Sequence, residues 1–458
     1  MYLGIDIGAS YCKAAIIDSE EKIVRSQRVE MPSFLKSNSH SYLTCEVKVQ
    51  KIETSVIELL DLILRDMQDP VEAIGLAGQM HGILIVDESN KPLSNFISWQ
   101  DQRTAGEKIF GEKISYLDYL KDNLADFRTV TGTDLRPGML GPIIFWFKKL
   151  GYIDKKCAKV SFLSDYIASR LSDTEPVCDP TNAAGSGIFN LIDNEWLESF
   201  FDITKISKEY LPKVVKSGTV VGGLSSDFAA KLGLKKGLPI YASVGDYQAA
   251  LFASGINTDS ISLNIGTGAQ VSVLAKKPLF GEAFETRPFF NNFYTNCISG
   301  LPGGRCIALF ERFLKNAINL FAESEPQTNV LNRLDEICAN RLLKTDLICA
   351  PNFFNSKAFY ENAFYNINSR NFKVEDLYFA LLDGAVYEYH LAFNRLNGID
   401  ERKYSHIILS GGVGQKSKTI QNIVKKYFMD NLIIPKYNEE AAAGAGLLAK
   451  RYNYSSKN

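Results

Sequence analysis

Residues 1–18 read MYLGIDIGASYCKAAIID. An apolar run carrying one carboxylate, Asp6, ends in Gly8-Ala9-Ser10, and a second apolar run follows to Asp18. Two short apolar runs around a small-residue turn predict a β-hairpin over Leu3–Asp18. The same step returns at 262–270, SLNIGTGAQ, where Leu263-Asn264-Ile265-Gly266 repeats the apolar–polar–Ile–Gly order of Ile5-Asp6-Ile7-Gly8. One such turn per half predicts two structurally related halves.

Helical spacing of apolar residues runs through 51–67, and a strand, a polar loop and another strand are predicted over 71–93. Alternating strands and helices argue an α/β architecture. A helix is predicted at 226–234, before hairpin chemistry restarts near 260. The division falls near 242–246, giving an N-terminal half over 1–243 and a C-terminal half over 244–458. The Asn- and aromatic-rich segment 351–371 is expected to be a surface loop region.

At 458 residues the chain is too long for one core. A net charge of −1, with both signs mixed along the chain, marks no surface for nucleic acid or an anionic membrane and favours a small-molecule partner. The most apolar runs, such as 141–147, are too short to span a bilayer, and the strand pattern at the first residues leaves no room for a leader. Eight scattered cysteines, with no C-x-x-C, suggest buried thiols in a reducing compartment. The expected location is cytoplasmic.

A turn of Gly, Ala, Ser and Thr lets backbone N–H groups converge on an anion. Two turns facing one cleft would clamp a polyphosphate. Asp6 cannot hold phosphate, but it can hold Mg²⁺ or its water shell. LSGGVGQKS (409–417) and EEAAAGAGLLAK (439–450) are a glycine-rich strand-to-helix turn and a small-residue helix start, both suited to close approach of a base and ribose. No G-x-x-x-x-G-K-[ST] occurs, and no G-x-G-x-x-G follows the first strand. Asp246, in YASVGDYQAALFASG (241–255), sits between a buried strand and a helix. A carboxylate there can cap the helix or take the proton of a hydroxyl under phosphorylation. GLAGQMHG (75–82) and ISWQDQR (97–103) add side chains suited to a polyhydroxylated ligand: Gln79, His81, Trp99 with its apolar face, Asp101, and Arg103 to lock Asp101 or reach the ligand.

Paired glycine hairpins with a late Gly-Gly loop resemble the actin-like ATPase superfold. Over most of its length the chain resembles the FGGY family of carbohydrate kinases. The resemblance implies an α/β fold of two actin-like (ribonuclease H-like) domains with a central cleft. It implies ATP as phosphoryl donor with Mg²⁺, a free sugar as acceptor, and homodimers as the commonest assembly. DIGAS matches the family's D-x-G-T-[ST], with Ala9 departing from Thr and Ser10 kept. GDYQ resembles GD-x-Q, which makes Asp246 the general base and a substrate contact. GQMHG resembles the motif of xylulokinases and sedoheptulokinases, adding Gln79, Met80 and His81 to the sugar site, and WQDQR resembles W-x-D-x-R, adding Trp99, Asp101 and Arg103. Gly8, Ser10, Gly266, Thr267 and Gly268 would cradle phosphates, and Gly411, Gly412 and Gly444 would line the adenosine site. Gln100 and the NAA at Asn182 look like sedoheptulokinase, so sedoheptulose is the expected acceptor, with xylulose or another polyol the alternative. PNFFNSK (351–357) departs from the family pattern. An actin-like nucleotide-binding sensor would share the hairpins but need neither Asp246 nor the two sugar motifs.

Overall fold

The computed structural model describes residues 1–35, 43–124, 127–153, 159–266, 268–321, 329–341, 345–354, 362–400 and 402–457. The opening hairpin is β1 (Tyr2–Ile7) and β2 (Tyr11–Ile17). With β3 (Ile23–Glu30), β4 (Ala73–Gly78), β5 (Val220–Gly223) and β6 (Pro239–Tyr241) it forms a sheet ordered β5–β6–β4–β1–β2–β3. The second sheet contains β7 (Ser260–Asn264), β8 (Gln270–Ala275), β9 (Glu285–Pro288), β10 (Tyr294–Ser299), β11 (His406–Ser410) and β12 (Leu432–Ile433), ordered β9–β10–β8–β7–β11–β12.

The two sheets share one topology. In the first, β3–β2 and β2–β1 are antiparallel while β1–β4 and β4–β6 are parallel. In the second, β10–β8 and β8–β7 are antiparallel while β7–β11 and β11–β12 are parallel. The repeat that two turns suggested is thus a repeat of whole sheets, with Asp6 and Asn264 at matching positions near the strand ends. Val244–Gly245 still pairs with β4 of the first sheet.

The helices include α1 (Val49–Leu64), α2 (Leu163–Ser172), the short α3 (Pro180–Ala183) and α4 (Asp246–Ala253). Later come α5 (Gly304–Phe321), α6 (Val330–Arg341), α7 (Val374–Asp400), α8 (Gly412–Lys416), α9 (Lys418–Tyr427) and α10 (Glu440–Lys457). In α1, Ile52, Val56, Leu59, Leu60 and Ile63 fall on one stripe and meet Leu3, Ile5 and Ile7. The last helix, α10, returns to cover the opposite face of the first sheet, with Ala442, Ala443 and Leu447 against Tyr2 and Ala73. That approach is close: a Cβ on Gly4 would lie 2.0 Å from the Ala442 carbonyl oxygen.

Residues between β4 and β5 build a side lobe around Leu140, Phe162, Phe189 and Trp196. The lobe reaches the second sheet, where the Thr286 N–H donates to the Gly132 carbonyl at 2.9 Å and Arg128 donates to the carbonyls of Gly281, Glu282 and Phe284. Within segment 351–371, expected as a loop region, Ala363–Tyr365 forms a strand that pairs antiparallel with Ile348–Ala350. Residues 355–357 of PNFFNSK lie outside the described residues.

Candidate active site

Strand alternation aims the site's charges. Asp6 faces Lys13 across the first hairpin, and Asn264 faces Gln270 across the second. All four side chains line one cavity of about 620 Å³ between the sheets, with Asp246, Gly268, Gly411 and Gly412. Gly411 has φ +84°, and a Cβ there would lie 2.5 Å from Asn264 Oδ1, so only glycine fits this turn. A second cavity, about 880 Å³, opens between α5, α6 and α8 and shares Gly412 and Lys416 with the first. Gly266 lines that second cavity, while Gly8 and Ser10 form the turn above Asp6. Thr267 lies outside the described residues.

The carboxyls facing this cleft hold their protons tightly. Burial, then the charge of Asp246, pushes Asp6 up to about 8, while Lys13 opposes the rise. Burial raises Asp246 to about 6, opposed by the Tyr247 N–H, which donates to Asp246 Oδ1 at 2.7 Å, and by Arg287 and Lys13. Lys13 also pairs with Glu439 at 2.8 Å. Asp6 Oδ1 is buried with no hydrogen-bond partner among the described residues, so the site suits a cation that would hold the carboxyl ionised. Among the described residues no group of three or more His, Cys, Asp or Glu could hold a metal ion unaided. Mg²⁺ binds through one or two carboxylates while ligand phosphates and water supply the rest.

His81 lies in the bend after β4. His81 has φ +82° and packs its ring so that Nδ1 lies 2.6 Å from the Gly185 carbonyl. A carbonyl only accepts, so Nδ1 carries the proton and Nε2 is left as an acceptor. Burial, then Arg287 and Arg136, lowers the imidazole to about 3, so it is neutral at physiological pH. Trp99 is 46% exposed. Arg287 reaches over the Tyr247 ring at 5.0 Å and bonds Glu285, which also pairs with Arg136 of the side lobe.

Four expected contacts lie elsewhere. Asn182 is 0% exposed, and its amide donates to Asp165 Oδ1 and to Ser243, behind the Asp246 loop. Asp101 is 1% exposed, its oxygens taken by Arg103 and the Cys45 N–H. Arg103 is buried too, bonded to Asp101 and Glu46 and stacked 4.7 Å from the Trp146 ring, so it locks Asp101 and does not reach a ligand. Gly444 packs on α4, where a Cβ would meet the Ala249 carbonyl oxygen at 2.0 Å; its smallness serves helix packing, not a base. Two more are pulled back from the cleft. Met80 packs with Tyr247 and Leu251, and Gln79 donates to the Gly8 carbonyl at 3.2 Å, its Oε1 without a hydrogen-bond partner among the described residues. Sequence reasoning missed Lys13, Gln270, Arg136, Arg287 and the wall of the larger cavity. Hairpin alternation alone could have found Lys13, since pairing Ile7 with Cys12 places Asp6 opposite it.

Residues 1–253 match the FGGY family of carbohydrate kinases, N-terminal domain. The chain is 25% identical to the xylulose kinase of Bacillus subtilis (strain 168) over 458 residues, covering 98% of this chain and 87% of that one. It is 24% identical to the gluconokinase of the same organism, over 97% and 86% of the two chains. Among solved structures, ligand-bound xylulose kinase from Lactobacillus acidophilus superposes with a TM-score of 0.82 at 21% identity, over 100% of this chain and 90% of that one. Plasmodium falciparum glycerol kinase with ADP gives 0.80 at 21% identity, over 98% and 89%. The chain belongs to the FGGY family of carbohydrate kinases and has the family's two-domain actin-like fold. It is therefore a phosphotransferase acting on a sugar hydroxyl, not a binding protein without chemistry.

Proposed function

We propose that this kinase transfers the γ-phosphoryl group of ATP to D-sedoheptulose, giving sedoheptulose 7-phosphate and ADP, with Asp246 as general base. One observation carries the assignment of the base. Arg287 acts on both Asp246 and His81, so a cleft carboxylate and a neutral imidazole share one charged neighbour. A sugar hydroxyl would donate to His81 Nε2 while its C–H face lies on Trp99.

The terminal hydroxyl gives its proton to the Asp246 carboxylate as its oxygen bonds to the γ-phosphorus, and the bond from that phosphorus to the β–γ bridging oxygen breaks. With its pKa near 6, Asp246 is mostly ionised at pH 7 yet basic enough to take the proton. Lys13 and the turns at 8–10 and 266–268 would face the phosphates, with the base end of the nucleotide in the larger cavity. Asp6 would hold Mg²⁺, which neutralises charge on the transferring phosphate. Among the described residues no helix is long and apolar enough to cross a membrane, and the seven described cysteines are free, which supports a reducing, cytoplasmic setting.

Xylulose is the second reading. The burial of Asn182 removes one of the two sequence features favouring sedoheptulose, and several relatives are xylulose kinases. ADP release with Mg-ATP across sedoheptulose, xylulose, gluconate and glycerol separates these. Turnover confined to xylulose retires the sedoheptulose reading and leaves the role of Asp246 standing.

A further inference from the structure

Directly behind the Asp246 turn lies a polar cluster that the proposed chemistry does not use. Asp165 (α2), Asp179, Thr181 and Asn182 (α3) and Ser243 are each 0–1% exposed. Asp165 Oδ1 accepts from the Ser243 hydroxyl and from Asn182 Nδ2, the latter at 3.2 Å. Asn182 Nδ2 also donates to the Ser243 carbonyl at 3.2 Å. Two residues further on, the Gly245 N–H donates to Thr181 Oγ1 at 2.9 Å, and that hydroxyl donates to Asp179 Oδ1 at 2.7 Å. The backbone is therefore pinned at 243 and again at 245, on either side of Val244 and immediately before Asp246.

Such a cluster is expensive to bury. Asp165 Oδ2, Asp179 Oδ2 and Asn182 Oδ1 have no hydrogen-bond partner among the described residues. An apolar patch of the same volume would hold the fold at lower cost. What an apolar patch cannot do is fix the direction of a strand-to-helix turn through both a side-chain hydroxyl and a backbone N–H. Gly245 also packs closely, since a Cβ there would lie 2.4 Å from Gln248 Oε1 and 2.9 Å from Met80 Sδ and would push both side chains aside. The turn is clamped from α2 and α3 on one side and from Met80 and α4 on the other.

We propose that Asp165, Asn182, Ser243 and Thr181 are positioning residues, which touch neither sugar nor nucleotide and set where the Asp246 carboxylate points. This rests on Asp246 being the base, and it extends that reading to the residues that aim it. A base displaced by about 1 Å loses on the order of 100-fold in rate, so aiming is worth the burial.

The test uses the full chain and two readouts, one of which needs no activity. Titration of the Asp246 carboxyl by NMR, assigned with Asp246→Asn, reports its surroundings: Asp6 and Lys13 on the first hairpin, Arg287 on the second sheet and the Tyr247 N–H. Ser243→Ala and Thr181→Val each remove one clamp, and both are expected to move its midpoint by about half a pH unit or more. Asp165→Asn keeps the Oδ1 acceptor and should leave the midpoint in place. The second readout is turnover with Mg-ATP and sedoheptulose or xylulose. There kcat should fall about 10- to 100-fold in the two clamp variants with KM for ATP within about twofold, and Asp165→Asn should stay close to wild type. A cluster that only stabilises the fold would lower the melting temperature and leave the midpoint where it is, which overturns the proposal. A wild-type protein without sugar-dependent turnover would sink the kinase reading, and the titration would still judge this one.

Discussion

Replacing Asp246 by Asn keeps the volume of the side chain and removes its ability to take a proton. The same change should make the protein more stable, because the carboxylate is held against its preference. The folded chain keeps the Asp246 proton to about 6, against an ordinary 3.8. The stability this group contributes is thus complete below about pH 4 and is lost as pH rises through about 6. Fully sheltered, the anion would cost about 3 kcal/mol at pH 8, at ~1.4 kcal/mol per pH unit. Asp246 faces the cleft and is only half-buried, so solvent reduces this to about 1 kcal/mol, a rise in melting temperature of a few degrees at most. Thermal unfolding of the two proteins at pH 8 and pH 5, beside an ADP-release assay, measures both effects. The Asn variant should melt higher at pH 8, lose about half of that advantage at pH 5, and turn over ~10²–10⁴-fold more slowly with KM for ATP unchanged. A variant that keeps turnover within tenfold of wild type, or melts lower at pH 8 than wild type, would refute the assignment of the base.

His81→Ala removes an acceptor used by the sugar alone, so KM for the sugar should rise by about tenfold or more while KM for ATP holds in steady-state kinetics. Glu285→Ala leaves Arg136 and Arg287 facing each other without their shared carboxylate, and chemical denaturation should show a loss of about 2–4 kcal/mol. With Asp6 as the proposed metal ligand, Mg²⁺ binding below about pH 8 displaces a proton, so calorimetry should find it, with a nucleotide analogue present, tightening from pH 6 to pH 8, and Asp6→Asn abolishing that slope. Gly444→Ala should lower the melting temperature by several degrees with KM for ATP unchanged among molecules that fold, as a packing glycine requires and a nucleotide contact does not.

The frame of the molecule was legible because hairpins announce themselves locally. Alternation around Gly8-Ala9-Ser10 and Gly266-Thr267-Gly268 located the central strands of both sheets, and the repeated Ile–Gly step marked their equivalence. His81 and Trp99 were named from their motifs, and the structure gives one an unusual backbone and the other an open face. Motif position could not tell which way a polar side chain turns. Asn182 and Asp101 sit in short segments of the side lobe, and both point inward to hydrogen bonds with residues remote in sequence, Ser243 and Cys45. Arg136 and Arg287 were invisible for a related reason. Each is an ordinary arginine until the side lobe meets β9 and Glu285 brings them together. The small residues of α10 were read as room for a base because sequence shows that space is needed, not which atoms fill it.

The most direct test is a crystal structure with Mg²⁺, a non-hydrolysable ATP analogue and sedoheptulose. The terminal hydroxyl should lie within about 2.6–3.2 Å of an Asp246 carboxylate oxygen and in line with the γ-phosphorus, with the metal beside Asp6. A terminal hydroxyl more than about 5 Å from Asp246, or bonded to a different base, would contradict the mechanism at its centre.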